Sequence, residues 1–293
     1  MVVVRAPATS ANLGSGFDVF GVALERPADV IRVERADRTT IEVTGLGAQF
    51  IPTEPAENTA GVVAEALDAP ARIQIDKGVR PSSGLGSSAA SAAGAAVALD
   101  ALYDGGRSAE TLVRAAAEGE AAVSGEAHAD NVAPAIMGGF TIATGDGVTR
   151  VDAELPVVAC LPETVLSTRK ARTVLPEAVS IEDLVETIGA AATLVAGMAR
   201  NDPELVGEGM HDPVVTPARA SLIEGYEAVR EAAIAAGAAG VAVSGAGPTM
   251  LAVPTSGRSR AVGAAMVEAF DDVGVEATAY QTRIGDGAVI YQD

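Results

Sequence analysis

Tryptophan is absent from this 293-residue chain, aromatic residues make up 3% of it, and Cys160 is its one cysteine. A lone cysteine excludes an intrachain disulfide and a thiolate metal cluster. In the apolar run Val157-Val158-Ala159-Cys160-Leu161 it reads as a small buried hydrophobe. Lysine is nearly missing as well. Lys77 and Lys170 are the only two among 20 basic residues, set against 39 acids for a net charge of −19. No basic stretch is long enough to track a phosphate backbone, which argues against nucleic-acid binding. The acids are scattered rather than gathered into a tail. They describe a solvated acidic surface suited to concentrated salt, where charge repulsion is screened within roughly 3 Å at 1 M. The two histidines, His128 and His211, are too far apart to form a metal-spacing motif, and a structural or substrate-lid role for the loop of His211 stays open.

One stretch, residues 232–257, carries no charge and is long enough to cross a bilayer. Ser244-Gly245-Ala246-Gly247-Pro248 breaks it midway, so a helix end, a strand, a glycine turn and a second strand explain it better. Residues 1–6 are too short for a secretory signal. A soluble, cytoplasmic protein without membrane contact is expected.

With 48% apolar residues, mostly Val, Leu, Ile and Ala, the chain can bury a real core as one large domain or two intimately packed ones. Strands are expected over residues 2–6, 19–24, 30–34, 40–44 and 72–76, with a helix over 57–67 before the last. Helices over 87–102 and 109–123 follow, then strands over 140–143 and 148–151. The second half opens with a strand over 157–161 and an Arg-containing loop. A helix over 181–199 comes next, with Ser180 as N-cap and Glu182 and Asp183 in its first turn. A helix over 220–236, strands over 240–244 and 249–253, a helix over 258–271 and a strand over 276–281 complete the chain. The order resembles a split βαβ sandwich, an α+β layer with helices on one sheet face. It suggests a division near residue 155, into 1–155 and 156–293.

The most informative segment is Pro81-Ser82-Ser83-Gly84-Leu85-Gly86-Ser87-Ser88-Ala89-Ala90-Ser91, which opens an Ala-rich helix. Two glycines let backbone amides turn inward against an anion. The first helical turn offers unpaired N–H groups and the positive end of its dipole, and the serines add hydroxyls. Together these make a triphosphate cradle. A serine-capped helix after a tight turn would look similar. No lysine follows Gly86, so a Walker loop is absent. Gly84, Gly86 and Ala89 formally match a dinucleotide fingerprint. That fold, however, needs a strand ending in an acid about 20 residues on, where residues 108–123 are helical in pattern.

At this loop the sequence resembles the GHMP kinase superfamily. Two more segments match in order, Ala6-Pro7-Ala8-Thr9-Ser10-Ala11-Asn12-Leu13-Gly14-Ser15-Gly16-Phe17-Asp18 and Ser244-Gly245-Ala246-Gly247-Pro248-Thr249. The first of these, with Glu118-Gly119-Glu120, the run from Ser124 to Pro134, and Ala171-Arg172-Thr173-Val174-Leu175-Pro176, is similar to the homoserine-kinase branch. The resemblance covers essentially the whole chain. It implies a two-domain α+β architecture, an N-terminal ribosomal-S5-domain-2-like domain that binds ATP and a C-terminal ferredoxin-like domain.

The resemblance also implies roles. Ser88 and Glu120 would hold Mg²⁺, while the loop, Lys77, Asn58, Gly245 and Gly247 would surround the nucleotide. Asn58 serves equally well as a helix N-cap. Arg172 and Arg219 match the pair that grips the α-carboxylate of L-homoserine, with Arg169 a competitor for the first position. Asn12 and Asp18 would take the ammonium and position the hydroxyl, and His128 would line the substrate site. Asn131 stands where mevalonate-type relatives put an Asp base. An amide cannot take a proton, so direct attack by the hydroxyl without a dedicated base is implied. Relatives also make a homodimer an admissible assembly. Kinases for other small alcohols, such as shikimate or a mevalonate derivative, and a nucleotide-binding sensor remain alternatives.

Overall fold

The computed structural model describes residues 1–125, 129–145 and 147–291. Two sheets organise it. The larger is built from β1 (Val2–Asn12), β2 (Gly16–Arg35), β3 (Thr40–Gly45), β4 (Ala71–Lys77), β5 (Phe140–Thr144), β6 (Gly147–Val151) and β11 (Val289–Tyr291). Its main path runs β11-β1-β2-β4-β3, and the β5–β6 hairpin joins the first half of β2. Helices α2 (Ser87–Leu102) and α4 (Ala129–Met137) pack on this sheet, and α1 (Thr59–Ala66) and α3 (Ala109–Ser124) pack against those helices and each other. Alanine is abundant in α2 because the helix is interior: Ala89, Ala90, Ala92, Ala93, Ala95, Ala96 and Ala98 are all fully buried. Small side chains let it lie close to the strands. A Cβ on Gly94 would collide with Ile31 of β2 and crowd Ala6 of β1.

The second sheet contains β7 (Pro156–Pro162), β8 (Ala238–Val243), β9 (Met250–Pro254) and β10 (Ala277–Arg283), in the order β10-β7-β9-β8. Numbered within the unit this is 4-1-3-2, a split βαβ arrangement. Its neighbours are α7 (Pro203–Gly209), α9 (Tyr226–Ala235) and α10 (Ser259–Asp271), and α6 (Ile181–Arg200) packs on α7. Residues of β7 alternate between two apolar clusters: Val157 and Ala159 face the large core, Val158 and Cys160 the one under α9 and α10. Met250, Leu251, Ala252 and Val253 of β9 alternate in the same way. Both faces are therefore covered, which is why these strands read as unbroken apolar runs. Helices on one face alone, as the sequence suggests, is corrected here, because α7 packs against β8 and β9 from the other side.

Several boundaries also differ. The strands expected at 19–24 and 30–34 are one strand, β2, with a register shift opposite Pro7 and Ala8. The Arg-containing loop is a short helix, α5 (Thr168–Thr173), capped by Ser167. The helix expected over 220–236 starts later, as α9 at Tyr226, after a turn over 221–225 in which Gly225 has φ +77°; a separate short helix, α8 (Val215–Ala220), precedes that turn. Helices α4 and α7 and strand β11 have too few periodic residues to be seen in advance. Strand β11 returns the chain to the first sheet, pairing Val3, Val4 and Arg5 with Tyr291, Ile290 and Val289. The uncharged stretch 232–257 is the end of α9, β8, the glycine turn and β9. Among the described residues no helix is long and apolar enough to cross a membrane.

Candidate active site

The three glycine-bearing segments converge on one cleft between the sheets. Trans peptide geometry explains how the phosphate loop presents its amides. The carbonyl of Ser83 accepts Thr249 N–H at 3.2 Å, that of Gly84 the Ser244 hydroxyl at 2.7 Å, and that of Leu85 the N–H of Thr9 at 3.1 Å. All three carbonyls thus face the protein body. In a trans peptide the next residue's N–H points the opposite way, so the amides of Gly84 and Gly86 turn to the cleft. Both glycines have positive φ, +83° and +60°. A Cβ on Gly84 would meet the carbonyls of Ser244 and Gly247, and one on Gly86 the Thr9 hydroxyl. Helix α2 begins directly after this loop at Ser87.

Beneath the loop, Lys77 and Asn58 border the same cleft. Asn58 is the N-cap of α1, accepting Ala60 N–H at 3.0 Å and donating to Pro52 O at 2.7 Å. The ammonium of Lys77 turns inward to Asp29, the Ser87 carbonyl and the Ser91 hydroxyl. Leu85 and Ala89 are buried in the core and contribute backbone only.

Glu120, on α3, is 4% exposed and accepts a hydrogen bond from Ser88. Burial pushes its carboxyl up to about 7; the Ser88 bond opposes this, Asp130 adds repulsion, and Lys77 draws it back. Two neighbouring helices, α2 and α3, therefore bring together a hydroxyl and a carboxylate from residues 88 and 120 of the chain.

At the other end of the cleft, the β1–β2 hairpin tip is pinned by Ser15, whose hydroxyl donates to Gly209 O at 2.6 Å. Asn12 and Asp18 hold positive φ, +74° and +57°, a region that Asn and Asp tolerate better than other non-glycine residues. Asn12 accepts Asp18 N–H at 3.0 Å and donates to Gly245 O at 2.8 Å. Arg172, on α5, forms a two-pronged pair with Asp18, at 2.9 and 3.1 Å. Arg219, on α8, is 3% exposed and donates to Ala171 O and Gly245 O at 3.2 and 2.9 Å. Its pKa is lowered by burial, an effect that Asp18 opposes. Both guanidinium groups lie over the Phe17 ring, 5.7 and 5.0 Å from its centroid. Arg169, the competitor, is exposed and does not line the cleft.

Between the two ends stand Asp130 and Asn131 on α4. Asn131 Oδ1 accepts the Thr9 hydroxyl at 2.8 Å, and its amide donates to Asp130 at 3.4 Å. Asp130, which the sequence analysis does not single out, is 5% exposed and lines the cleft. Burial raises its carboxyl to about 6; Asp18 adds repulsion, while Asn131 and Arg172 oppose it. A carboxyl raised above its ordinary 3.8 binds more protons folded than unfolded. Its contribution to stability is complete below about pH 4 and lost as pH rises through about 6. Asp130→Asn should flatten that part of the stability profile, measured by urea unfolding between pH 4 and 7.

His128 lies outside the described residues. His211 pairs at 2.8 Å with Glu186 on α6, away from the cleft. Cys160 is fully buried, and burial pushes its thiol up to about 12. Besides Asp130, sequence reasoning missed Thr9, Phe17 and Asp29. A nearly lysine-free chain that keeps one lysine before a phosphate loop does signal a buried acid partner, but 39 acids offer no way to choose it.

A kinase of the GHMP type is what this fold and site define. The family profile "GHMP kinases N terminal domain" matches residues 56–139, and "GHMP kinases C terminal" matches residues 194–272. The homoserine kinase of Haloarcula marismortui is 68% identical over 99% of this chain and 100% of its own length. That of Halorubrum lacusprofundi is 67% identical over the full length of both. The crystal structure of homoserine kinase from Cytophaga hutchinsonii superposes with a TM-score of 0.90 at 33% identity, covering 99% of this chain and 97% of that one. The chain belongs to the homoserine kinase family.

Proposed function

We propose that the protein transfers the γ-phosphoryl group of ATP to the side-chain hydroxyl of L-homoserine, giving O-phospho-L-homoserine and ADP on the way to threonine. The observation that carries this reading is one continuous cleft in which the phosphate loop faces the Arg172–Arg219–Asp18 cluster. L-Homoserine is a zwitterion. Its carboxylate suits the Arg172 fork and its ammonium suits Asp18 and Asp130, so it can insert into the Arg172–Asp18 pair and give each group a new partner of opposite charge. The hydroxyl then lies on the Asn131 side of the cleft, toward the loop.

Ser88 and Glu120 fit a hard divalent cation: a neutral hydroxyl and a buried carboxylate, both oxygen donors, already hydrogen-bonded to each other. No group of three or more His, Cys, Asp or Glu among the described residues makes a complete cage. Phosphate oxygens and water would complete the coordination. Bound Mg²⁺ would supply charge neutralisation across the β- and γ-phosphates.

In the transfer, a bond forms between the homoserine oxygen and the γ-phosphorus while the bond to the β–γ bridging oxygen breaks. The hydroxyl proton passes to a γ-phosphate oxygen. Placement and charge suffice for such a loose transition state. Asn131→Ala should therefore lower kcat by roughly tenfold rather than abolish it, since the amide only orients the hydroxyl. Single-turnover kinetics measure this, and complete inactivity of a folded variant would contradict it. A second reading has the burial of Asp130 in its favour, since a carboxyl near 6 matches a general base. Asp130→Asn separates the two: a raised KM for L-homoserine supports ammonium binding, and a collapse of kcat supports the base. ADP release with L-homoserine, L-threonine, shikimate and mevalonate, each with and without Mg²⁺, tests the function itself. Turnover favouring shikimate or mevalonate would overturn it.

A further inference from the structure

One buried ion pair lies directly under the phosphate loop. The side chains of Lys77, at the end of β4, and Asp29, in β2, are 1% and 0% exposed. Asp29 Oδ1 accepts the N–H groups of Gly78 and Val79 at 3.0 and 2.9 Å. Its Oδ2 accepts the Lys77 ammonium and the Ser91 hydroxyl. Lys77 also donates to the Ser87 carbonyl at 2.7 Å and to Ser91 Oγ at 2.9 Å. Ser87 closes the ring by donating its hydroxyl to Val79 O at 2.7 Å.

An ammonium has three donors, and all three are engaged within the protein. None is left for a phosphate oxygen. Burying two charges is costly compared with a neutral anchor, so the pair invites an explanation beyond stability. Its bonds converge on two short segments, the turn at 78–79 before the loop and the first helical turn at 87–91 after it. Holding both ends fixes the span, and hence the shape, of the residues between them. There is also an electronic consequence. The Ser87 carbonyl shares a peptide plane with the N–H of Ser88, and a cation on the oxygen makes that N–H a stronger donor.

We propose that the Asp29–Lys77 pair positions the nucleotide site: it sets the phosphate loop and polarises the Ser87–Ser88 peptide so that the amides are aligned before a triphosphate arrives. This rests on the kinase reading above. Both residues act through the loop and are positioning residues, not ligands of the substrate.

Lys77→Met, Asp29→Asn and the double variant test it. The readouts are affinity for ATP without Mg²⁺ by calorimetry, Tm, and KM for each substrate. Each single variant leaves one buried group without its counter-charge and should lose Tm. The double variant removes both charges and should regain much of that loss, as other buried pairs do when replaced together. Its ATP affinity should nevertheless stay at least tenfold weaker than wild type, with KM for L-homoserine within twofold. A double variant with recovered Tm and wild-type ATP affinity would overturn the proposal. Should these variants fail to fold, Ser91→Ala removes one bond from each partner. It should weaken ATP binding about threefold at unchanged homoserine KM, and unaltered ATP affinity would sink the idea. Wild-type protein that folds but binds no ATP would instead strike the kinase reading itself.

Discussion

Replacing Glu120 by glutamine should cut kcat/KM by about 10²–10³-fold while leaving Tm unchanged or raising it. The two effects have opposite signs for one reason. Burial already pushes this carboxyl up to about 7, so its charged form is held against the preference of its surroundings. Glutamine has the same shape, can still bond to the Ser88 hydroxyl, and removes the unfavourable charge. What it removes is the anionic oxygen donor beside Ser88 on which the proposed Mg²⁺ site rests. The remaining activity should need a higher Mg²⁺ concentration, since a neutral amide binds a hard cation more weakly. Steady-state kinetics over a Mg²⁺ titration, with calorimetry on the same samples, would measure both halves. Activity within threefold of wild type would remove Glu120 from the metal site.

The second large effect is expected at the acceptor end. Arg172→Ala should raise KM for L-homoserine by about 10²-fold and leave KM for ATP unchanged. Charged hydrogen bonds are worth about 1.5–3 kcal/mol each, and the fork supplies two. Part of that is lost in giving up Asp18, so a net of about 2–3 kcal/mol is a fair expectation, at tenfold per 1.4 kcal/mol. Arg172→Lys should recover little, because an ammonium is a point charge and cannot make two parallel bonds. Arg219→Ala is a less clean experiment. Arg219 is almost fully buried and ties Ala171 to Gly245, so its loss also loosens the glycine turn beside the loop. Initial-rate kinetics with each substrate varied in turn would separate the two arginines.

The phosphate loop was legible because its chemistry is local. Glycines at positive φ, serines and a helix start lie consecutively in the chain, and a backbone cradle needs nothing distant to be recognised. Helix α2 could be placed to the residue for the same reason. Arg172 could be told from Arg169 only by resemblance. Their neighbourhood in sequence is one helical turn, and only the fold shows that one meets Asp18 while the other faces solvent. The break between α8 and α9 escaped notice because 220–236 is uniformly helix-friendly apart from Gly225, and one glycine is compatible with a helix interior. Nothing in the local sequence singles out Asp130, because its burial depends on β2, where Gly21 leaves room for the Asp130 carbonyl.

By itself the sequence determined the phosphate loop, the order of strands and helices through most of the chain, and an acidic surface poor in lysine. These follow from neighbours in the chain, through backbone conformation, helix ends and periodic burial. Tertiary structure alone decided three things. It closed the 4-1-3-2 sheet with helices over both faces and brought Ser88 to Glu120. It also joined Asp29 to Lys77 under the loop that the sequence had already displayed. Each is a meeting of residues remote in sequence. A buried charge is settled only by which partner the packed chain delivers to it, a matter on which local pattern is silent.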